Sequence, residues 1–183
     1  MLAAIHRQQL IQLAKDSISY GLEQFKPIPV ELDLLPTELV NYQATFVTLE
    51  LHEQLRGCIG VLEAYRSLAV DIAENSYAAA FADPRFQPVS HDEIEQLSIH
   101  ISILSEPEPL PIHSESELIA QLQTGVDGLI LKDARHQATF LPSVWQSLTQ
   151  PSEFVRQLKL KAGFPIEYWS DDIRAFRYTT ESF

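Results

Sequence analysis

Three observations predict an α+β fold with a mostly antiparallel sheet and flanking helices. Helical stripes and hairpin-like alternations follow one another irregularly along the chain. Ile99, Ile101 and Ile103 point one way and Ser98, His100 and Ser102 the other, as in a sheet strand with one apolar face. Glu106-Pro107-Glu108-Pro109-Leu110-Pro111 is a stiff, extended connector and the best candidate for a crossing between subdomains near residues 105–113.

The first element is a helix from Leu2 to Phe25, in which Ile11, Ala14, Ile18, Leu22 and Phe25 form an apolar stripe. Lys26-Pro27-Ile28-Pro29 stops it, because proline lacks the N–H donor and disfavours helix in the residue before it. A surface loop is expected from Pro27 to Leu39. A hairpin follows: Thr45, Val47, Leu49 and Leu51 share one face, His52-Glu53-Gln54 turns, and Leu55 to Gly60 returns. Ser67 can cap a helix to Ala82, with Ala69, Ile72, Ala73, Ser76 and Ala80 inward. Ser90 and Glu93 have the spacing of a capping box, as do Ser114 and Glu117, which open a helix ending near Gly125. Gly128 to Lys132 and Gln137 to Leu141 read as a hairpin. Pro151 starts a helix to Ala162, ended by Gly163, and Arg174 to Tyr178 is the closing strand.

The chain has 183 residues, long enough to bury about 70% of its surface without disulfide or metal staples. Its 13 Lys and Arg face 25 Asp and Glu, a net charge of −12. Direct nucleic-acid binding is disfavoured, since it needs a basic footprint. Anionic membrane surfaces are disfavoured on the same ground. One cysteine makes neither an internal disulfide nor a Cys-rich zinc site. No apolar run approaches the ~20 residues of a membrane span, and the start lacks a secretory layout, so a cytoplasmic protein is expected.

Histidines 6, 52, 91, 100, 113 and 136 show no paired metal-ligand spacing, and no metal or cofactor is expected. Leu55-Arg56-Gly57-Cys58-Ile59-Gly60 is the unusual segment. Strand alternation puts Arg56, Cys58 and Gly60 on one face and Leu55, Gly57 and Ile59 on the other. Two readings of Cys58 follow. It fills space, or it is a nucleophile whose thiolate Arg56 stabilises; a guanidinium at about 4 Å supplies that only where water is partly excluded. The glycines mark a bulge or a close approach of backbone or ligand. Asp83-Pro84-Arg85-Phe86 is either a fixed helix exit with Phe86 as anchor or an anion clamp built on Arg85. His100 is a candidate base for Cys58 if its strand lies beside Leu55 to Gly60.

Together these segments resemble the AMMECR domain family. The blocks are FVTL at Phe46 to Leu49, LRGCIG at Leu55 to Gly60, DPRF at Asp83 to Phe86, ISIL at Ile101 to Leu104, ATFLPSVW at Ala138 to Trp145 and KAGFP at Lys161 to Pro165. The resemblance implies one domain over residues 1–183, with a larger lobe holding both termini, a smaller lobe, and LRGCIG near the cleft between them. It names no reaction. It carries over Arg56, Gly57, Cys58 and Gly60 from the first signature and Asp83, Pro84, Arg85 and Phe86 from the second. His100 stands where relatives often carry an acidic residue. Leu160 stands where many carry a second cysteine, which removes any two-thiol scheme at that position. The version most similar to this chain belongs to the AmmeMemoRadiSam system, implying a Memo-like protein and a radical-SAM protein as partners. Two functions are expected from this. One is a non-catalytic accessory subunit whose site is Arg56 to Gly60 with Asp83 to Phe86. The other is an enzyme using Cys58, with Arg56 and Arg85 binding a small acidic substrate among Gly57, Gly60, Asp83, Phe86 and His100.

Overall fold

The computed structural model describes the whole chain, Met1–Phe183. It is α+β, with two four-stranded antiparallel sheets and flanking helices. Its contacts divide it into two compact units: Met1–Leu104 with Glu181–Phe183, and Ser105–Thr180.

In the first unit the sheet has β1 (Thr45–Leu51), β2 (Gln54–Gly60), β3 (Leu97–Leu104) and β8 (Thr180–Ser182) in the order β2-β1-β3-β8. Val47, Leu49, Ile101 and Ile103 are buried on its inner face. They pack against α1 (Ala4–Gln24) and α3 (Leu68–Phe81). Small residues on α3 (Ala69, Ala73, Ser76, Ala79 and Ala80) are buried, which lets the helix lie close on the strands. α1 differs from expectation. Its buried stripe is Leu10, Ala14, Ser17, Ile18 and Gly21, whereas Phe25 is 81% exposed in a left-handed cap. Gly21 explains the rotation: a Cβ there would lie 2.6 Å from the Tyr77 ring, so this face carries the close helix contact. Ser67 sits at the start of α3 without capping it through its side chain. The surface loop also contains a 3-10 turn, Leu32–Leu34, and the short α2 (Thr37–Val40).

A polar knot missed by sequence periodicity joins α3 to β1. Buried Asp71 accepts from the Thr45 N–H at 2.9 Å, the Thr45 hydroxyl at 2.6 Å, Asn75 Nδ2 at 2.9 Å and Arg66 Nε at 2.7 Å. Four donors satisfy a carboxylate that would be costly to bury alone.

The second unit has β4 (Glu108–Leu110), β5 (Gly128–Lys132), β6 (Gln137–Phe140) and β7 (Arg174–Tyr178) in the order β4-β7-β5-β6. The proline-rich stretch is therefore partly a strand. Pro109 is tolerated because β4 lies at the sheet edge. α5 (Glu115–Gln121) ends before Gly125. α6 (Pro151–Ala162) buries Phe154, Leu158 and Ala162 and ends on Gly163 in the left-handed region. Trp145 stacks on Phe154 with ring centroids 3.8 Å apart and donates to the Asp127 carbonyl at 2.7 Å.

Candidate functional site

The two motif segments meet along one edge of the first sheet. β2 is the edge strand, and its pairing with β1 is interrupted: Leu49 lies opposite Gly57, yet Glu50 lies opposite Leu55. Arg56 is the extra residue of a β-bulge. A bulge breaks the two-residue alternation and re-aims the side chain. Arg56 therefore does not act as the expected neighbour of Cys58. Its Nε and Nη2 hold the Glu93 carboxylate at 2.7 and 3.0 Å, and Nη1 and Nη2 donate to the Gln87 and Pro88 carbonyls at 2.8 and 3.2 Å. The same bulge puts Leu55, opposite Glu50, on the face of Cys58 rather than on that of Gly57.

Glu93 lies in the short α4 (His91–Ile94) and closes a capping box with Ser90. The Arg56 pair, with help from the Ser90 N–H, holds its carboxyl down at about 2. Arg56 thus ties the bulge to the segment leaving the α3 region.

Gly57 faces inward, where the Ala79 carbonyl would lie 2.1 Å from a Cβ. Gly60 faces outward, and a Cβ there would lie 2.4 Å from both the Phe46 ring and the Thr45 carbonyl. Both glycines thus serve close approach, as their pattern predicted, and the approaching groups belong to the protein itself.

Asp83 and Arg85 line the free edge of β2. Asp83 Oδ2 accepts the Cys58 N–H at 2.9 Å, and Arg85 Nη2 donates to the Cys58 carbonyl at 3.1 Å. Two side chains thereby supply the acceptor and donor that a further strand would bring. Asp83 also binds Arg85 through Oδ1 to Nε at 2.9 Å and Oδ2 to Nη2 at 2.6 Å, and Oδ1 accepts the Arg85 N–H at 3.1 Å. Arg85 chiefly, against the opposing effect of burial, holds the Asp83 carboxyl well below the usual range. Arg85 is itself raised, mainly by Asp83, with the Cys58 side chain a lesser contributor. The arginine bonded to Cys58 is therefore Arg85, through the Cys58 carbonyl, and not Arg56. Its guanidinium carbon lies 5.4 Å from the ring centre of half-buried Phe86.

The outward face around Cys58 carries Thr48, whose hydroxyl lies 3.3 Å from the sulfur. His100 shares that face but not the neighbourhood. β1 separates β3 from β2, and Thr48 stands opposite both Cys58 and His100. Two strand spacings amount to about 10 Å, so the expected Cys58–His100 pair does not form. His100 instead lies 3.5 Å from Glu50. Thr48 and Glu93 are the contacts that sequence reasoning missed. The turn is two residues, His52-Glu53, rather than the expected three; counted back from it Thr48 would lie opposite Gly57, and the bulge moves it to Cys58. No three His, Cys, Asp or Glu side chains gather as a metal site requires.

The AMMECR1 family profile matches residues 11–183. The chain belongs to the AMMECR1 family. A protein of Methanothermobacter thermautotrophicus is 32% identical over 180 residues, covering 95% of this chain and 91% of that protein. A protein of Thermotoga maritima is 38% identical over 152 residues, covering 81% and 82%. The crystal structure of the uncharacterized protein PH0010 from Pyrococcus horikoshii is similar with a TM-score of 0.87 at 30% identity, covering 94% of this chain and 88% of that one. Among the blocks that resemble the AMMECR1 family, LRGCIG is the bulged edge strand and DPRF its side-chain cover. ATFLPSVW supplies β6 and the 3-10 turn bearing Trp145, and KAGFP the exit of α6. No helix is long and apolar enough to cross a membrane.

Proposed function

We propose that this AMMECR1-family chain is a cytoplasmic, non-catalytic accessory subunit that resembles protein A of the AmmeMemoRadiSam system. In this reading the outward face around Cys58, Thr48 and Phe86 is presented to a Memo-like protein and a radical-SAM protein. The observation that carries it is the use of both motif arginines inside the fold, Arg56 on Glu93 and Arg85 on Asp83. An arginine already paired with a carboxylate offers little net charge to an acidic substrate. Cys58 also has no histidine base beside it. The motif thus builds a rigid, shaped strand edge, which suits recognition, with Phe86 as an aromatic anchor.

The test is Cys58→Ser in a system reconstituted with both partners. Retained binding and retained pathway turnover are expected. Lost turnover with intact binding would contradict the accessory reading and favour the second one.

That second reading is an enzyme using Cys58 as nucleophile. One observation favours it: the Arg85 guanidinium is 53% exposed and reaches Cys58 itself, donating to its carbonyl at 3.1 Å. A small acidic substrate would meet Arg85 there, with Arg56 limited to holding the bulge.

A further inference from the structure

A hollow lies wholly within the second unit, between the β5–β6 turn and the residues after α6. It encloses about 490 Å³, within the range of small-molecule sites. Asp133, Arg135, His136, Phe164, Tyr168 and Asp172 line it. It plays no part in the Cys58 edge.

Three features converge. The first is an oriented imidazole. Asp133 Oδ1 accepts the N–H groups of Arg135 and His136, both at 2.7 Å, and its oxygens lie 3.2 and 3.3 Å from His136 Nδ1. These donors hold the carboxyl ionised, so it only accepts, and Nδ1 carries the hydrogen. With the hydrogen on Nδ1, the lone pair of the neutral form lies on Nε2. Gly163 leaves room beside it, since even a Cβ there would stay 4.0 Å from Nε2. The second feature is an aromatic wall. Buried Phe164 meets the His136 ring at 4.9 Å, and Tyr168 stacks on Phe164 at 5.5 Å and 13°. The third is charge. Among the eight arginines, Arg135 alone has a guanidinium with neither a carboxylate nor a carbonyl partner. In a chain of net charge −12, a lone guanidinium at the rim of an aromatic hollow is a selective feature.

We propose that this hollow binds a small planar aromatic anion. Its ring lies against Tyr168, which Phe164 backs, its carboxylate or phosphate meets Arg135, and a ring N–H or hydroxyl donates to His136 Nε2. Aromatic stacking and a guanidinium are together the ordinary means of holding such molecules.

The test is an amide NMR titration of the full chain with indole-3-carboxylate and with adenosine monophosphate. Neutral indole and non-aromatic cyclohexanecarboxylate serve as controls. Saturable shifts at Arg135, His136, Gly163, Phe164 and Tyr168 are expected with at least one aromatic anion, the tighter one identifying the headgroup. The controls should bind about tenfold more weakly or worse. Arg135→Gln, an exposed change whose fold the same spectra report, should weaken binding by about tenfold. Tyr168→Leu should weaken it as well. The proposal is overturned if neither anion gives saturable shifts at these amides up to about 5 mM. It is also overturned if Arg135→Gln leaves the affinity unchanged, or if cyclohexanecarboxylate binds as tightly as the aromatic anions.

Discussion

Asp83 accepts the Cys58 N–H at 2.9 Å, and this contact joins the two signature segments of the chain. The carboxylate and its partner Arg85 occupy the hydrogen-bonding positions of an absent fifth strand. Asp83→Ala leaves the Cys58 N–H unpaired and Arg85 without its counter-ion. Loss of such a hydrogen-bonded charge costs about 2–4 kcal/mol. Asp83→Asn keeps an acceptor and should cost less, about 1–2 kcal/mol. Urea unfolding measures both. An Asp83→Ala chain as stable as the parent would mean that the edge needs no cover.

Acid should loosen the same region. Glu93 titrates at about 2 in the fold against an ordinary value of 4.5, and Asp83 is lowered still further. A depressed folded pKa means that the stabilisation is complete above the unfolded value and is lost as pH falls through the folded one. Stability should therefore decline from about pH 4.5 downward, with the Glu93 share lost by about pH 2. Glu93→Gln should be less stable at pH 7 and show a shallower acid limb. Unfolding midpoints at a series of pH values check both, and parallel limbs for the two chains would contradict the assignment.

Gly57 tests the approach of α3 to the strand. Ala79 O would lie 2.1 Å from an added Cβ, so Gly57→Ala must displace either helix or strand. A cost of about 3 kcal/mol or more is expected, at the upper end for overpacking. Gly125→Ala is the control: a positive φ of 81° but nothing within 4 Å of the new Cβ, which should cost about 1 kcal/mol. Equal thermal shifts in the two variants would show that backbone conformation, not contact, governs Gly57.

The β1–β2 turn is a place for gain. His52 and Glu53 both have positive φ, 53° and 62°, the conformation of a two-residue turn that favours Asn and Gly. Glu53→Gly removes the Cβ penalty there and should stabilise the fold by about 0.5–1 kcal/mol. A drop in melting temperature would contradict this account of the turn.

Much of the fold was legible because apolar periodicity reports burial. The β3 alternation, the α3 stripe and the Gly163 stop all appear in the structure. The α1 stripe misled because the face with Ser17 and Gly21 packs tightly where large residues would not fit. In the candidate site, strand alternation put Arg56 beside Cys58, and a single inserted residue undid it. Bulges are set by pairing across strands, so the glycines of Leu55 to Gly60 mark a bulge as one reading but do not place it at Arg56. His100 failed for a related reason: its face was right, but strand order depends on tertiary topology. Asp83 and Arg85 stand out together in one motif, yet what they bind, the free edge at Cys58, is visible only once β2 is an edge.

The central claim is that the face around Cys58 is a partner surface. The most direct measurement is the alkylation rate of Cys58, the sole thiol, read by intact mass with and without a saturating Memo-like partner. The account predicts that the bound partner slows alkylation by about tenfold or more. An unchanged rate, with the complex shown to be intact, would contradict it.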